Sequence, residues 1–164
     1  MGKVVLRGNL MEIRAKLKQQ GRTVVFTNGC FDILHRGHVE YLGSAKALGD
    51  VLIVGVNSDN SVRRIKGNGR PIVSEGDRAF VLSALKDVDF VCLFDEDTPF
   101  ELIREIVPDI LVKGADWNVK DVVGKEIVEQ AGGSVRTIPI VSDRSTSGII
   151  GRIRGMRGGA ELHS

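Results

Sequence analysis

The chain has 164 residues, of which 42% are hydrophobic and 27% charged, proportions typical of a globular protein with a buried core. This composition excludes disordered and fibrous classes, and no apolar run approaches the ~20 residues that a membrane-spanning helix needs. The 23 Lys and Arg side chains nearly balance the 21 Asp and Glu side chains, so we predict no nucleic-acid partner and no membrane surface.

Apolar residues alternate between helical spacing and short continuous runs, and Gly, Pro, Ser and Thr mark the boundaries. In chain order, the patterns predict a helix over 10–17 that ends near Gly21, a strand Thr23–Thr27, a helix from about Gly37 to Leu48, a strand Val51–Val56, a polar loop over 63–71, a helix Glu75–Leu85, a strand Phe90–Phe94, a helix Pro99–Val107, a strand Ile110–Val112, a helix Val122–Gln130, a strand Val135–Ile138 and a helix Ser145–Ile153. Ser74 and Thr98 are predicted to cap the helices that follow them.

Strands that alternate with helices indicate a parallel sheet with crossover helices, and continuous apolar strands indicate that both faces of the sheet are covered. We therefore predict an α/β fold, a single Rossmann-like doubly wound parallel sheet of about five strands. Residues 1–22 are expected to form an N-terminal helix and lead, 23–154 the main domain and 155–164 a flexible tail. In such sheets ligands bind beyond the carboxyl ends of the strands, where strand order reverses.

The N-terminal residues lack the long apolar stretch of a signal peptide. Cys30 and Cys92 lack the spacing of metal ligands, which favours two buried, reduced thiols. Together these features predict a cytoplasmic protein.

The turn after the first predicted strand carries two histidines around a glycine, His35 and His38 around Gly37. At the mouth of a helix both rings can face one ligand, the glycine lets a phosphate approach the backbone, and free N–H groups favour an anion. The same spacing fits surface or structural histidines. It also fits metal ligands, but the only other histidine is His163 near the C-terminus. Spacing alone leaves these three interpretations open.

The segment GCFDILHRGH at 29–38 resembles the HxGH signature of the cytidylyltransferase-like nucleotidyltransferase superfamily. Further segments similar to that family follow in order: NSD at 57–59, RIKG at 64–67, RP at 70–71, FDEDTP at 94–99, PDILVKGAD at 108–116 and RSTSGII at 144–150. The VKGAD and RSTS segments are most similar to D-glycero-β-D-manno-heptose 1-phosphate adenylyltransferases, and the resemblance covers about residues 10–154. In bifunctional members this domain follows a sugar kinase; here we expect it to stand alone.

The resemblance implies that AMP is transferred from ATP to a sugar 1-phosphate, with Mg²⁺ as the partner of the triphosphate. It implies catalytic roles for His35, His38 and Lys66. It places the nucleotide against Asn28, Gly29, Cys30, Phe31, Asp32, Gly37, Lys113, Gly114, Asp116, Arg144, Ser145, Thr146 and Ser147. No protein ligand for a metal is predicted, and a homodimer is expected by the same resemblance.

A phosphate of the acceptor is predicted to contact Asp59, Arg70 and Arg78. Several residues also have simpler explanations. Lys66 fits a solvated basic loop, Lys113 a surface position and Ser145–Ser147 a helix cap. Trp117 fits either stacking on a base or covering its loop. Ser147 stands where many relatives have Thr, and both residues supply a hydroxyl.

Phosphate motifs do not distinguish bases, so a glycerol-3-phosphate cytidylyltransferase or a related CTP- or ATP-dependent enzyme stays open. A nucleotide-binding module without turnover is the alternative of another class. RNA binding by loop 63–70 is not expected, because interleaved aromatic residues are missing.

Overall fold

The computed structural model describes residues 1–115, 119–139 and 145–158. The strands are β1 Lys3–Val4, β2 Val24–Gly29, β3 Val51–Asn57, β4 Phe90–Phe94, β5 Ile110–Gly114 and β6 Ser134–Ile138. The helices are α1 Arg7–Gln19, α2 Arg36–Lys46, α3 Asp59–Lys66, α4 Glu75–Ser83, α5 Phe100–Ile106, α6 Lys125–Gln130 and α7 Thr146–Gly158, and a 3₁₀ turn spans Val119–Asp121. Among these helices none has both the length and the apolar character needed to cross a membrane.

The strands form one parallel sheet in the order β1-β4-β3-β2-β5-β6. The chain builds from β2 through β3 to β4 and then places β5 on the other side of β2. Strand order therefore reverses between β2 and β5, where Val25 pairs with Ile110. This topology confirms the predicted Rossmann-like doubly wound fold and places a ligand crevice beyond the carboxyl ends of these two strands.

The sheet has six strands among the described residues, where about five were predicted. The additional strand, β1, contains two residues, too few for a hydrophobic period to be visible in the sequence. Its position depends on Gly2, whose N–H donates to the Ser83 carbonyl at 2.8 Å. A Cβ at Gly2 would lie 2.3 Å from the Val88 carbonyl oxygen, so a larger residue does not fit this approach.

Helix α3 occupies part of the segment predicted as a polar loop, and Lys66 is therefore the last residue of a helix. Ser58 caps this helix by accepting a hydrogen bond from the Ser61 N–H at 3.0 Å. Val62 is its one fully buried apolar side chain, so the helix lacks the repeating apolar face that sequence patterns depend on.

The predicted caps have different outcomes. Ser74 caps α4 as predicted, accepting from the Asp77 N–H at 3.3 Å. The prediction for Thr98 is wrong, because Pro99 occupies the cap position of α5 and no side chain caps that helix. At the other end of the chain, α7 continues to Gly158, beyond the predicted end at Ile153.

Alternate residues of the buried strands contribute to two cores. Val24 and Phe26 face the core formed with α1, α5 and α6, whereas Val25 faces the core formed with α2 and α4. Each fully buried Val, Leu, Ile or Phe side chain stabilises the fold by roughly 1.5–3 kcal/mol. The two cores hold the sheet from both faces and fix the positions of its carboxyl-end loops.

At the amino ends of the strands, opposite the cavity, aspartate carboxylates accept hydrogen bonds from backbone N–H groups. Asp50, Asp89 and Asp109 each accept a backbone N–H at 2.7 Å at or beside the amino end of a strand. Each carboxylate thus provides an acceptor for a backbone N–H at the start of β2 or β3. The amino edge is therefore closed by the protein's own groups, and the carboxyl edge carries the cavity.

Candidate active site

A cavity of about 620 Å³ opens at the carboxyl edge of the sheet. Its lining includes most of the residues predicted from the sequence: Asn28, Gly29, Cys30, Phe31, Asp32, His35, Gly37, His38, Lys66, Arg70, Lys113, Gly114, Ser145, Thr146 and Ser147. Asp59 and Arg78 do not line it. Asp116, Trp117 and Arg144 lie outside the described residues. Positions scattered over 120 residues of sequence are thus brought to one crevice by the parallel topology.

The first turn of this crevice has an unusual backbone. Phe31 adopts a positive φ of 48°, a conformation that bulky residues rarely take. Its ring packs edge-on against the His38 ring, with centroids 5.2 Å apart. A Cβ at Gly29 would lie 3.1 Å from the Phe31 ring, so the glycine leaves the space that this ring needs. The packing of Phe31 therefore holds a strained turn in place beside the histidines.

The two histidines converge. His35 is the N-cap residue of α2, with extended backbone, and its carbonyl accepts the His38 N–H at 3.0 Å. The imidazole rings stack with centroids 3.9 Å apart and an angle of 23° between their planes. Both side chains are half-buried and line the cavity at the amino end of the helix, where partial positive charge and free N–H groups favour an anion.

His38 is neutral at pH 7 in this arrangement. Burial, with a smaller contribution from the neighbouring His35, lowers its pKa to about 4. Its Nδ1 is buried and has no hydrogen-bond partner among the residues that the structure describes. A neutral imidazole still donates one N–H, and the negative charge of a bound polyphosphate would favour its protonated form.

Cations lie on two sides of the histidine pair. Lys113 of β5 donates a hydrogen bond to the Asn28 side chain of β2, across the point where strand order reverses. Lys66 enters from the end of α3 on the β3 side. The cavity therefore combines imidazoles, ammonium groups and a helix amino terminus, which together suit a polyphosphate.

Asp32 organises the turn and the segment opposite it. Its side chain is only 1% exposed and forms an ion pair with Arg70 Nε at 2.5 Å. Its other oxygen accepts the N–H groups of Ile72 and Val73 at 2.8 and 2.9 Å. Both carboxylate oxygens thus accept hydrogen bonds from the protein. These bonds hold the segment 70–73 against the turn that follows β2.

The predicted phosphate contact of Arg78 is wrong. The side chain is fully buried and donates to the carbonyls of Cys30, Asn57 and Val73 and to the Asp59 carboxylate. The helical position of Arg78 points it at the sheet edge, where it joins the ends of β2 and β3. Asp59 is committed to this ion pair at 2.9 Å and lies outside the cavity lining.

The start of α7 closes the cavity on the far side. Ser145 caps the helix by accepting the Gly148 N–H at 3.0 Å, in agreement with the cap interpretation. The Thr146 hydroxyl donates to the Ile33 carbonyl at 3.3 Å and so ties this helix to the first turn. The amino end of α7 and that of α2 therefore face one cavity.

Comparison with known families decides the class of this site. A family model described as cytidylyltransferase-like matches residues 26–150, about three quarters of the chain.

The chain belongs to the cytidylyltransferase-like family.

It is therefore a nucleotidyltransferase, and a nucleotide is one of its substrates. The bifunctional protein HldE of Syntrophotalea carbinolica is 54% identical over 151 residues, which cover 92% of this chain and 31% of the relative. HldE of Campylobacter concisus is 57% identical over 147 residues, 89% of this chain and 30% of the relative. The chain thus spans about a third of the length of these curated relatives.

One solved structure agrees with this membership, and a second shares the fold. A lipopolysaccharide core biosynthesis protein from Thermoplasma volcanium is 35% identical with a TM-score of 0.60, covering 74% of this chain and 98% of that one. A pantoate–β-alanine ligase from Francisella tularensis is 16% identical with the same TM-score of 0.60, covering 90% of this chain and 69% of that one. The second comparison shows a shared fold alone.

This cytidylyltransferase-like cavity also contains residues to which the sequence analysis gave no site role: Tyr41, Asn57, Ile65, Asp97, Thr98, Pro99 and Val123. Five of them lie in the family-like segments 57–59, 64–67 and 94–99. Asn57 ends β3, and the segment 97–99 follows β4. The rule that points to carboxyl ends of strands applied to these positions as well. The Tyr41 hydroxyl, 2.7 Å from Thr27 Oγ1, had no sequence pattern to mark it.

The two cysteines are free thiols. Burial raises the pKa of Cys30, which lines the cavity, and raises that of Cys92 to about 11. Both are therefore protonated at neutral pH, and Cys30 contributes a neutral thiol to the wall of the cavity.

Proposed function

We propose that this chain is an adenylyltransferase that transfers AMP from ATP to D-glycero-β-D-manno-heptose 1-phosphate, giving ADP-heptose and pyrophosphate. The observation that carries the proposal is the stacked pair His35 and His38 at the mouth of α2, with Lys66 and Lys113 on the walls of the same cavity. The similarity to HldE proteins and to a lipopolysaccharide core biosynthesis protein supports the choice of a heptose phosphate.

In the proposed reaction, an oxygen of the acceptor phosphate attacks the α-phosphorus of ATP. A new oxygen–phosphorus bond forms while the bond from the α-phosphorus to the bridging oxygen breaks, and pyrophosphate leaves with that electron pair. The attacking phosphate is already ionised near pH 7, so no general base is required. Catalysis then depends on positioning and on stabilising the charge that develops on pyrophosphate.

The cavity supplies groups for each part of this task. We assign His35 and His38 to the α/β region of the triphosphate, where imidazole N–H groups stabilise the leaving oxygen. The backbone of Gly29 and the strained Phe31 face the α-phosphate. Ser145–Ser147, at the amino end of a 13-residue helix, hold the β- and γ-phosphates.

Lys66 and Lys113 supply positive charge from opposite walls. Lys66 ends α3 beside Gly67, which has a φ of 91°. Because glycine tolerates many backbone conformations, a change in the dihedral angles of Gly67 would move the Lys66 ammonium group. Lys113 is held by Asn28 and needs no such movement.

Mg²⁺ is the expected partner of the triphosphate, whose negative charge it would neutralise. The donor set suits a metal that arrives with the nucleotide. Within the described residues no group of three or more His, Cys, Asp or Glu side chains is arranged to hold a metal ion. Asp32, the buried carboxylate of the cavity, has both oxygens occupied by protein donors. Phosphate oxygens and water would therefore supply most ligands.

The test is a measurement of pyrophosphate release with ATP and CTP against heptose 1-phosphate, other sugar 1-phosphates and glycerol 3-phosphate. We expect turnover with ATP and heptose 1-phosphate. Turnover restricted to CTP would instead support a cytidylyltransferase. Tight ATP binding with no turnover on any acceptor would support a nucleotide-binding module.

We also propose a cytoplasmic homodimer, on the resemblance to the family. Sedimentation velocity at micromolar concentration measures the oligomeric state directly. A single species of monomer mass would contradict the dimer and leave the proposed reaction untouched.

A further inference from the structure

The cavity has a second wall whose chemistry differs from that of the phosphate-binding side. Asn57, Ile65, Asp97 and Thr98 lie on the β3 and β4 side, away from β5 and α7. Neighbouring strands are about 4.8 Å apart, so the end of β4 lies roughly 10 Å from that of β2. This distance separates the second wall from the crevice where the histidines and Lys113 converge.

The second wall is poorly suited to phosphates. None of its four side chains is a cation, because Asp97 is a carboxylate paired with Arg64, and Asn57, Ile65 and Thr98 are neutral. A carboxylate, a hydroxyl and an amide in one wall are instead the groups that hydrogen-bond to the hydroxyls of a sugar or polyol. Ile65, 43% exposed, adds an apolar surface for the carbon face of such a ligand.

Contacts within the protein hold two residues of this wall, Asn57 and Asp97. The Arg64 guanidinium pairs with Asp97 Oδ1 at 2.6 Å. The Ser61 hydroxyl accepts from the Asn57 amide at 3.0 Å and donates to the Glu96 carbonyl at 2.9 Å. These contacts connect β3, α3 and the turn after β4, and they restrict the Asn57 and Asp97 side chains, which lowers the entropy cost of binding.

We propose that this wall, defined by Asn57, Ile65, Asp97 and Thr98, is the subsite for the polyhydroxyl part of a sugar or polyol phosphate. The inference rests on the proposed function, in which the acceptor phosphate lies near the α-phosphate. That phosphate is then next to Lys66 and Arg70, and the sugar extends towards the end of β4. Asp97 and Thr98 determine which acceptor hydroxyl pattern binds.

The experiment is a calorimetric titration with a non-hydrolysable ATP analogue present. The probes are heptose 1-phosphate, glycerol 3-phosphate and inorganic phosphate. The variants are Asp97→Ala and Thr98→Val, with Asp95→Ala as the matched control. Asp95 also faces Arg64, at 3.6 Å, but does not line the cavity.

We expect Asp97→Ala to weaken binding of at least one hydroxylated probe about tenfold or more, as for the loss of a charge-assisted hydrogen bond, and Thr98→Val by less. Affinities for inorganic phosphate and for the ATP analogue stay within about twofold, and Asp95→Ala binds like the wild type.

Three results would overturn the subsite. The first is a wild type that binds neither hydroxylated probe more tightly than inorganic phosphate. The second is an equal effect of Asp97→Ala and Asp95→Ala, or no effect of either. The third is a loss confined to the ATP analogue, which would place the nucleotide ribose on this wall. Failure of the proposed reaction is read separately, from pyrophosphate release by the wild type with ATP and heptose 1-phosphate.

Discussion

At the scale of single residues, the two imidazoles dominate the site. The rings stack with centroids 3.9 Å apart, and burial together with the neighbouring His35 lowers the pKa of His38. His38 is thus half-buried and neutral at pH 7.

In the proposed reaction, replacing His38 with alanine would remove a donor to the leaving group. We expect His38→Ala to lower kcat on the order of 10²–10³-fold, since that is the usual cost of losing one such donor. The fold should survive, because His38 makes no hydrogen bond through its Nδ1 in the described structure. Steady-state pyrophosphate release and far-UV circular dichroism check both parts. Glu40→Gln, on the same helix but outside the cavity lining, serves as the control, and wild-type kcat in His38→Ala would contradict the assigned role.

The lowered pKa of His38 also predicts a pH dependence of stability. Its pKa is about 4 in the folded protein against an ordinary 6.5, so between these values the unfolded chain binds more protons. The contribution of neutral His38 to the free energy of unfolding is therefore fully present above pH 6.5 and is lost as the pH falls towards 4. Melting temperatures of the wild type and His38→Ala, compared from pH 7 to 4, measure the difference. Parallel curves would show that His38 does not titrate in this way.

At the scale of elements, buried side chains of helix and turn join the ends of strands. Asp32 connects the turn after β2 to the segment 70–73, and Arg78 of α4 connects that turn to the end of β3. Neither contact is made by residues close in sequence. The shape of the cavity rim therefore depends on two buried charged groups with satisfied hydrogen bonds.

Loss of Arg78 should affect stability before chemistry. Arg78→Met leaves three carbonyls and the Asp59 carboxylate without their donor, and we expect a loss of about 3 kcal/mol in the free energy of unfolding. Urea unfolding measures it. Arg104→Met is the control, since that side chain is 61% exposed and pairs only with its neighbour Glu101 among the described residues. Similar urea midpoints for both variants would contradict this stabilising role of Arg78.

At the scale of the whole molecule, one sheet separates two cores, and the site depends on both. Residues adjacent in β2 face opposite layers, so a defect on either face shifts the same strand and the loop after it. The cavity therefore depends on the packing of both layers against the central strands.

Because both cores pack on the same sheet, we expect the protein to unfold in a single cooperative transition. Phe26→Ala on one face should cost about 3–5 kcal/mol and Val25→Ala on the other somewhat less, and both should lower one common midpoint. Unfolding followed by circular dichroism and by hydrogen exchange of α1 and α2 amides tests this. Two separate midpoints, one for each layer, would refute the shared support.

The sequence by itself determined the features that depend on neighbours along the chain. These are the buried strands, the doubly wound fold, the Ser74 cap and the histidine pair on the first turn. The HxGH resemblance then identified the family, and most residues chosen from it line one cavity. Local periodicity and turn chemistry are short-range properties, so they are visible in a linear sequence.

Only the tertiary structure decided which side chains reach the cavity. Arg70 and Arg78 looked alike in sequence, yet one lines the cavity beside Asp32 and the other is buried beneath it. Tertiary structure also brings Asp97 to the cavity, because it follows β4, which lies two strands from β2. It likewise places β1 at the edge of the sheet, where Gly2 allows a close approach. These outcomes depend on contacts between distant parts of the chain, and such contacts leave no period or spacing in the sequence itself.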